Sequence, residues 1–230
     1  MEIDISSALC LRHPTTCLIA GPTGCGKTQF VVRLLKSTGM IVPKPTRIVW
    51  VYGEWQPLYD DLLKTMTIEF RKNIVDPELY ESFSPETQNL LILDDQMCIG
   101  SSAQKKQMLQ LFTQGSHHRN LTIIYIVQNL FEQGSTSRTI SLNSQYLVLF
   151  KNPRDTAQIR YLAMQIYPRN HKFLVDSYSD ATKNSHSYLY LNLTQECEEW
   201  LRVSTMIFPE DESEIYVPID VVIPPEVLYK

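Results

Sequence analysis

The stretch Gly21-Pro22-Thr23-Gly24-Cys25-Gly26-Lys27-Thr28 constrains this chain more than any other. It fits GxxxxGK[ST], follows the apolar run TCLIAG at 16–21, and opens a helical pattern over 27–38. Glycines let backbone N–H groups wrap a phosphate chain, and the start of a helix adds partial positive charge. All eight residues are therefore expected to contact a nucleotide. Lys27 is expected to reach the β- and γ-phosphates of ATP, and the Thr28 hydroxyl to contact Mg²⁺. Cys25 fills a variable position and no role is expected of its thiol, although a thiol at a helix start could be acidified and oxidisable.

A second stretch, NLLILDDQM at 89–97, runs apolar residues straight into Asp94 and Asp95. Carboxylates at the end of a buried strand are costly unless they have something to act on. The run is expected beside the P-loop strand, with Asp94 as the Mg²⁺ contact next to Thr28. Asp95 is expected to orient or deprotonate an attacking water, which a hydrolase needs and a small-molecule kinase does not. Gln128, closing the apolar run LTIIYIVQN at 121–129, is the expected polar sensor of the γ-phosphate or of that water. The strand RIVWVYG at 47–53, between the P-loop and LLILDD, fits the branch of P-loop proteins that inserts a strand between these elements.

The remaining pattern alternates strands with helices, as in a parallel sheet covered on both faces. Helices are expected over QPLYDDLLKTM, DPELYESF, about 102–114, RDTAQIRYLAMQIYP and NHKFLVDSYSDATK; QYLVLFK and HSYLYLNL read as strands. LFEQGSTSRTISLNS is polar and turn-rich, expected as a mobile loop or broken helix. The fold class expected is α/β: a P-loop NTPase of the additional-strand type, with a mostly parallel central sheet flanked by helices. Residues 1–209 are expected to form one ATPase domain and 210–230 an acidic, Pro-rich tail.

The formal net charge of −4 does not announce a generic nucleic-acid binder, although an acidic subunit can still present a local basic face. Five cysteines without a CxxC pair suggest a reducing compartment, and no apolar run of membrane-spanning length occurs. The expectation is a soluble intracellular protein that requires no membrane. Arg119, Arg138 and Arg154 are candidates for a charge that a neighbouring subunit supplies to the transition state. His117 and His118 are expected to cap a helix or meet DNA phosphates, Lys105 and Lys106 to contact DNA. Arg202 is a further candidate nucleotide sensor. The acidic stretch from Glu196 to Glu214 is expected on the outer surface or against another protein.

GPTGCGKT, LLILDDQM, FTQGSHHRNLTIIYIVQNLF, RTISLNSQYLVLFKNPRD and SYLYLNL…LRVSTMIFP together resemble the DNA-packaging ATPases of the FtsK–HerA superfamily. The relatives are those of poxviruses, adenovirus-like elements and Polinton-type elements, and the resemblance runs from Thr16 to Pro209. It implies a RecA-like core that assembles as a homo-oligomeric ring, a pentamer or hexamer. Such a ring threads double-stranded DNA into a preformed capsid, with a capsid or portal vertex protein as partner. It also implies Lys27 and Thr28 at the phosphates and Mg²⁺, Asp94 at the metal, Asp95 as catalytic acid/base where many relatives carry Glu, and Gln128 as sensor. The location implied is the infected cell, in the nucleus or a cytoplasmic viral factory, and also the virion. Two alternatives stand beside this reading: a replication or recombination helicase, and a nucleotide-dependent capsid-vertex assembly protein.

Overall fold

Strands that are apolar on both faces must be sandwiched between two helical layers, and that requirement organises the chain. The computed structural model describes residues 8–72, 77–94, 109–112, 119–131 and 135–224. Its strands are β1 (Leu11–Arg12), β2 (Thr16–Ala20), β3 (Ile41–Val42), β4 (Arg47–Tyr52), β5 (Glu69–Lys72), β6 (Asn89–Asp94), β7 (Leu121–Val127), β8 (Tyr146–Phe150), β9 (Tyr188–Asn192), β10 (Val203–Thr205) and β11 (Glu214–Tyr216). The helices are α1 (Lys27–Lys36), α2 (Pro57–Thr65), α3 (Pro77–Glu81), α4 (Ser135–Asn143), α5 (Ala157–Ile166) and α6 (His171–Ala181).

The main sheet has the order β5-β4-β6-β7-β2-β8-β9-β10-β11. Neighbours from β5 through β8 run parallel, and β9, β10 and β11 add an antiparallel extension. This is the expected α/β RecA-like arrangement with an added strand, but the added strand is not where the sequence suggested. β6 does not lie beside β2. β7 pairs with both, so LTIIYIV is the inserted strand and RIVWVYG lies on the far side of β6. Strands apolar on both faces carry no mark of their lateral order, which only the crossover helices set.

Two-residue periodicity divides the core. Leu18, Leu91, Leu93, Ile123, Tyr125 and Leu147 face a layer that includes Ile140 of α4, Leu162 of α5 and Leu174 of α6. Cys17, Ile19, Ile92, Ile124, Ile126 and Val148 face Phe30, Val31 and Leu34 of α1 and Tyr59 and Leu62 of α2. Of the two forms expected for this segment, a mobile loop or a broken helix, residues 135–143 take the helical one: their Ser, Thr and Asn favour turns, but burial of Ile140 against the sheet holds the helix. Residues 214–216 of the segment read as a tail pair with β10 as an edge strand. Within the helix expected over 102–114, only 109–112 are described, and Leu111 and Phe112 are buried there. Among the described residues, no helix is long and apolar enough to cross a membrane.

Candidate functional site

Ligands of open α/β sheets sit beyond the carboxyl ends of the strands, and here the loop from β2 to α1 occupies the middle of that edge. Gly26 precedes α1 with φ 108°, a left-handed conformation that a side chain would strain. Gly21 is required for space instead. A Cβ there would lie 2.6 Å from Phe150 Cβ on β8 and 2.8 Å from Cys25 Sγ. The loop is thus pressed against the neighbouring strand and closes into a tight arch. The Lys27 ammonium donates to the Gly21 carbonyl at 2.6 Å and the Pro22 carbonyl at 2.9 Å, which holds its charge at the mouth of the arch.

Asp94, 3% exposed, ends β6 two strands away from β2. Its Oδ2 accepts from the Thr28 hydroxyl at 3.3 Å and from the Tyr59 hydroxyl at 2.8 Å. Sequence reasoning paired Asp94 with Thr28 but missed Tyr59, which is fully buried on α2. The missed signal lay in the spacing of Tyr59 and Leu62 after Pro57, which turns the tyrosine toward the sheet. Trp50, Phe70, Trp55 and Tyr52 surround the Tyr59 ring at centroid distances of 5.3, 5.0, 5.4 and 5.7 Å. That aromatic box fixes the hydroxyl on the carboxylate.

A hydroxyl and a buried carboxylate converging from two elements are hard oxygen donors of the kind Mg²⁺ takes. No group of three His, Cys, Asp or Glu residues that could hold a metal gathers among the described residues. One carboxylate and one hydroxyl suit an ion whose other contacts come from phosphates and water, the usual Mg²⁺ pattern.

A cavity of about 1180 Å³ runs along the loop and α1. On the β6–β7 side it is lined by Thr28, Asp94, Ile126, Gln128 and Gln56. On the β8–β9 side it is lined by Phe150, His186, Tyr188, Phe208 and Glu210. Gln128, one residue beyond β7, thus shares the cavity with Lys27 and Asp94. Cys25 lies in the same loop. Burial raises its thiol pKa, outweighing the Lys27 charge and the local backbone N–H groups, so the start of α1 does not acidify it.

The arginines separate. Arg119 precedes β7 at the amino edge of the sheet, roughly 20 Å from the loop across a seven-residue strand. It donates to the Phe83 carbonyl at 3.4 Å and lies over the Tyr80 ring at 5.1 Å. Arg138 is exposed on α4, and Arg154 is exposed just after β8 at the carboxyl edge. Arg202 donates to Glu199 Oε1 at 2.6 Å and to the Asn192 carbonyl at 2.9 Å, stapling the turn between β9 and β10. The acidic stretch does not lie wholly outward. Glu210 and Asp211 turn onto α1, each 2.7 Å from Arg33. Asp95, Lys105, Lys106, His117 and His118 lie outside the described residues.

No protein-family description and no curated protein sequence matches the chain. Among solved structures, the genome packaging NTPase B204 from Sulfolobus turreted icosahedral virus 2, in complex with ATP-gammaS, superposes with a TM-score of 0.47 at 11% identity. That match covers 90% of this chain and 98% of the other. The RadB recombinase superposes with a TM-score of 0.41 at 14% identity, over 63% of this chain and 78% of the other. Likeness at this distance says nothing of function.

Proposed function

We propose that this chain is an ATPase whose hydrolysis cycle drives double-stranded DNA into a viral capsid. The observation that carries the nucleotide part is the convergence of Thr28 and Asp94, 3.3 Å apart beside Lys27, with Gln128 from the intervening strand on the same cavity. The sequence resemblance to packaging ATPases supports the DNA and the capsid.

In this reading the eight residues from Gly21 to Thr28 cradle the phosphate chain. Lys27 exchanges its two carbonyl partners for the β- and γ-phosphate oxygens, a stronger charge-assisted pairing. Thr28 and Asp94 would hold Mg²⁺, which supplies charge neutralisation at the phosphates when bound. Tyr59 keeps the Asp94 carboxylate oriented. Asp95 accepts the proton of the attacking water, and Gln128 orients that water or reads the γ-phosphate. Arg119 or Arg138 of a neighbouring subunit completes the charge at the transition state in a pentameric or hexameric ring. Lys105 and Lys106 contact DNA phosphates, and a capsid vertex protein anchors the ring.

The test is steady-state ATP hydrolysis with and without duplex DNA. The wild-type chain is expected to hydrolyse ATP with Mg²⁺ and to speed up when duplex is added, and Lys27→Ala to do neither. Hydrolysis that duplex DNA leaves unchanged contradicts the motor reading; no hydrolysis at all contradicts the whole of it.

A further inference from the structure

The lateral order of the strands gives the cavity a direction. Asp94 on β6 and Gln128 after β7 place the metal and γ-phosphate contacts on one side of the loop. A triphosphate lying along the loop must therefore deliver its nucleoside to the other side, toward β8 and β9. That side is built by the antiparallel extension, and its chemistry differs. Its floor is aromatic: the Phe30 ring lies 4.8 Å from Tyr188 and 5.2 Å from Phe208, and Phe150 lies 5.6 Å from Tyr188. The guanidinium beside this floor, Arg33, is already neutralised. Arg33 lies 4.1 Å over the Phe208 ring and is paired with both Glu210 and Asp211. A guanidinium already paired with two carboxylates has little charge left to offer phosphate, and the aromatic floor beside it suits an uncharged ring system.

His186 stands at this entrance. It is exposed in the turn before β9, and its backbone is left-handed at φ 64°, which is uncommon for a residue with a side chain. Its Nδ1 donates to the Cys25 carbonyl of the loop at 3.2 Å, in the tautomer that carries the proton there. The ring lies close enough to Gly26 that a Cβ on that glycine would be 3.5 Å from Nδ1. An imidazole is thus tethered over the far end of the phosphate cradle. Backbone strain of this kind persists where surrounding contacts hold it, and it collects at ligand clamps.

We infer that the β8–β9 side of the cavity is the nucleoside subsite of this chain, with the His186 ring as the stacking platform for the base. The subsite rests on the nucleotide-binding reading above and adds the residue that distinguishes a nucleotide from bare phosphate. His186 reaches the cavity from 161 residues beyond Cys25, so no motif announces it.

The test compares MgATP with magnesium tripolyphosphate by titration calorimetry. His186→Asn keeps a donor near the Nδ1 position and a residue type that tolerates the left-handed backbone, while removing the ring. It is expected to weaken ATP about tenfold, the loss of one base-stacking contact, and to leave tripolyphosphate affinity within about twofold of wild type. His186→Phe restores a ring face and is expected to recover most of the ATP affinity. The subsite is overturned if His186→Asn weakens both ligands equally or neither, or if His186→Phe loses as much as His186→Asn. Wild-type protein that binds tripolyphosphate as tightly as ATP overturns the subsite but leaves the phosphate cradle standing. Wild-type protein that binds neither overturns the nucleotide reading and the subsite with it.

Discussion

The two sides of the cavity are made in opposite ways. On the β6–β7 side, oxygen donors are seated in the buried parallel sheet, and Tyr59 in its aromatic box braces Asp94. On the β8–β9 side, a turn with an exposed histidine leans over the loop and a carboxylate pair turns onto α1, both from an extension of short strands. The first side suits chemistry, where an ångström of misplacement is costly. The second suits recognition, where a contact need only be present.

Substitutions on the two sides should therefore separate turnover from binding. Lys27→Ala should be the most severe, lowering kcat/KM for ATP by about 10²- to 10³-fold, as loss of a transition-state charge contact does. Tyr59→Phe removes one hydroxyl and nothing else. The Mg²⁺ concentration for half-maximal nucleotide binding should rise about tenfold, the usual effect of losing a ligand-orienting partner. Nucleotide affinity measured in EDTA should stay unchanged, which a merely structural role for Tyr59 does not predict.

On the other side, Arg33→Gln should leave kcat unchanged and shift KM by at most about threefold, because exposed ion pairs contribute little. Its contribution to stability should also titrate. Hydrogen bonding to Arg33 lowers the Glu210 carboxyl below its ordinary 4.5. The stabilisation is therefore complete above that value and disappears as the pH falls through the lowered folded-state value. Urea midpoints of wild type and Arg33→Gln should converge in that acid window. The smallest effect concerns Cys25, whose thiol is pushed up by burial. Its alkylation at pH 7 should be slower than that of a free thiol and should accelerate toward alkaline pH.

The same contrast explains what could be read in advance. The positions of the loop, Asp94 and Gln128 are legible because each closes an apolar run that forms a buried strand. The pairing of β7 between β2 and β6 is not legible, since LLIL and TIIYIV are interchangeable as buried strands. β5 escaped notice because Glu69 and Arg71 pair with each other at 2.6 Å along an edge, while Phe70 alone faces inward. β10 and β11, three residues each, are too short for a period to show. His186 and Tyr59 become functional candidates only when tertiary packing sets them against the loop and Asp94.

Movement along duplex DNA is the most direct consequence of the proposed function. A triplex-displacement assay reads it: a third strand bound to a duplex is removed when a motor passes, whether or not the duplex opens. Wild-type protein with MgATP should displace the third strand while a forked duplex stays paired, and Asp95→Asn should bind ATP but displace nothing. Active hydrolysis without displacement, or separation of the fork, would contradict the account.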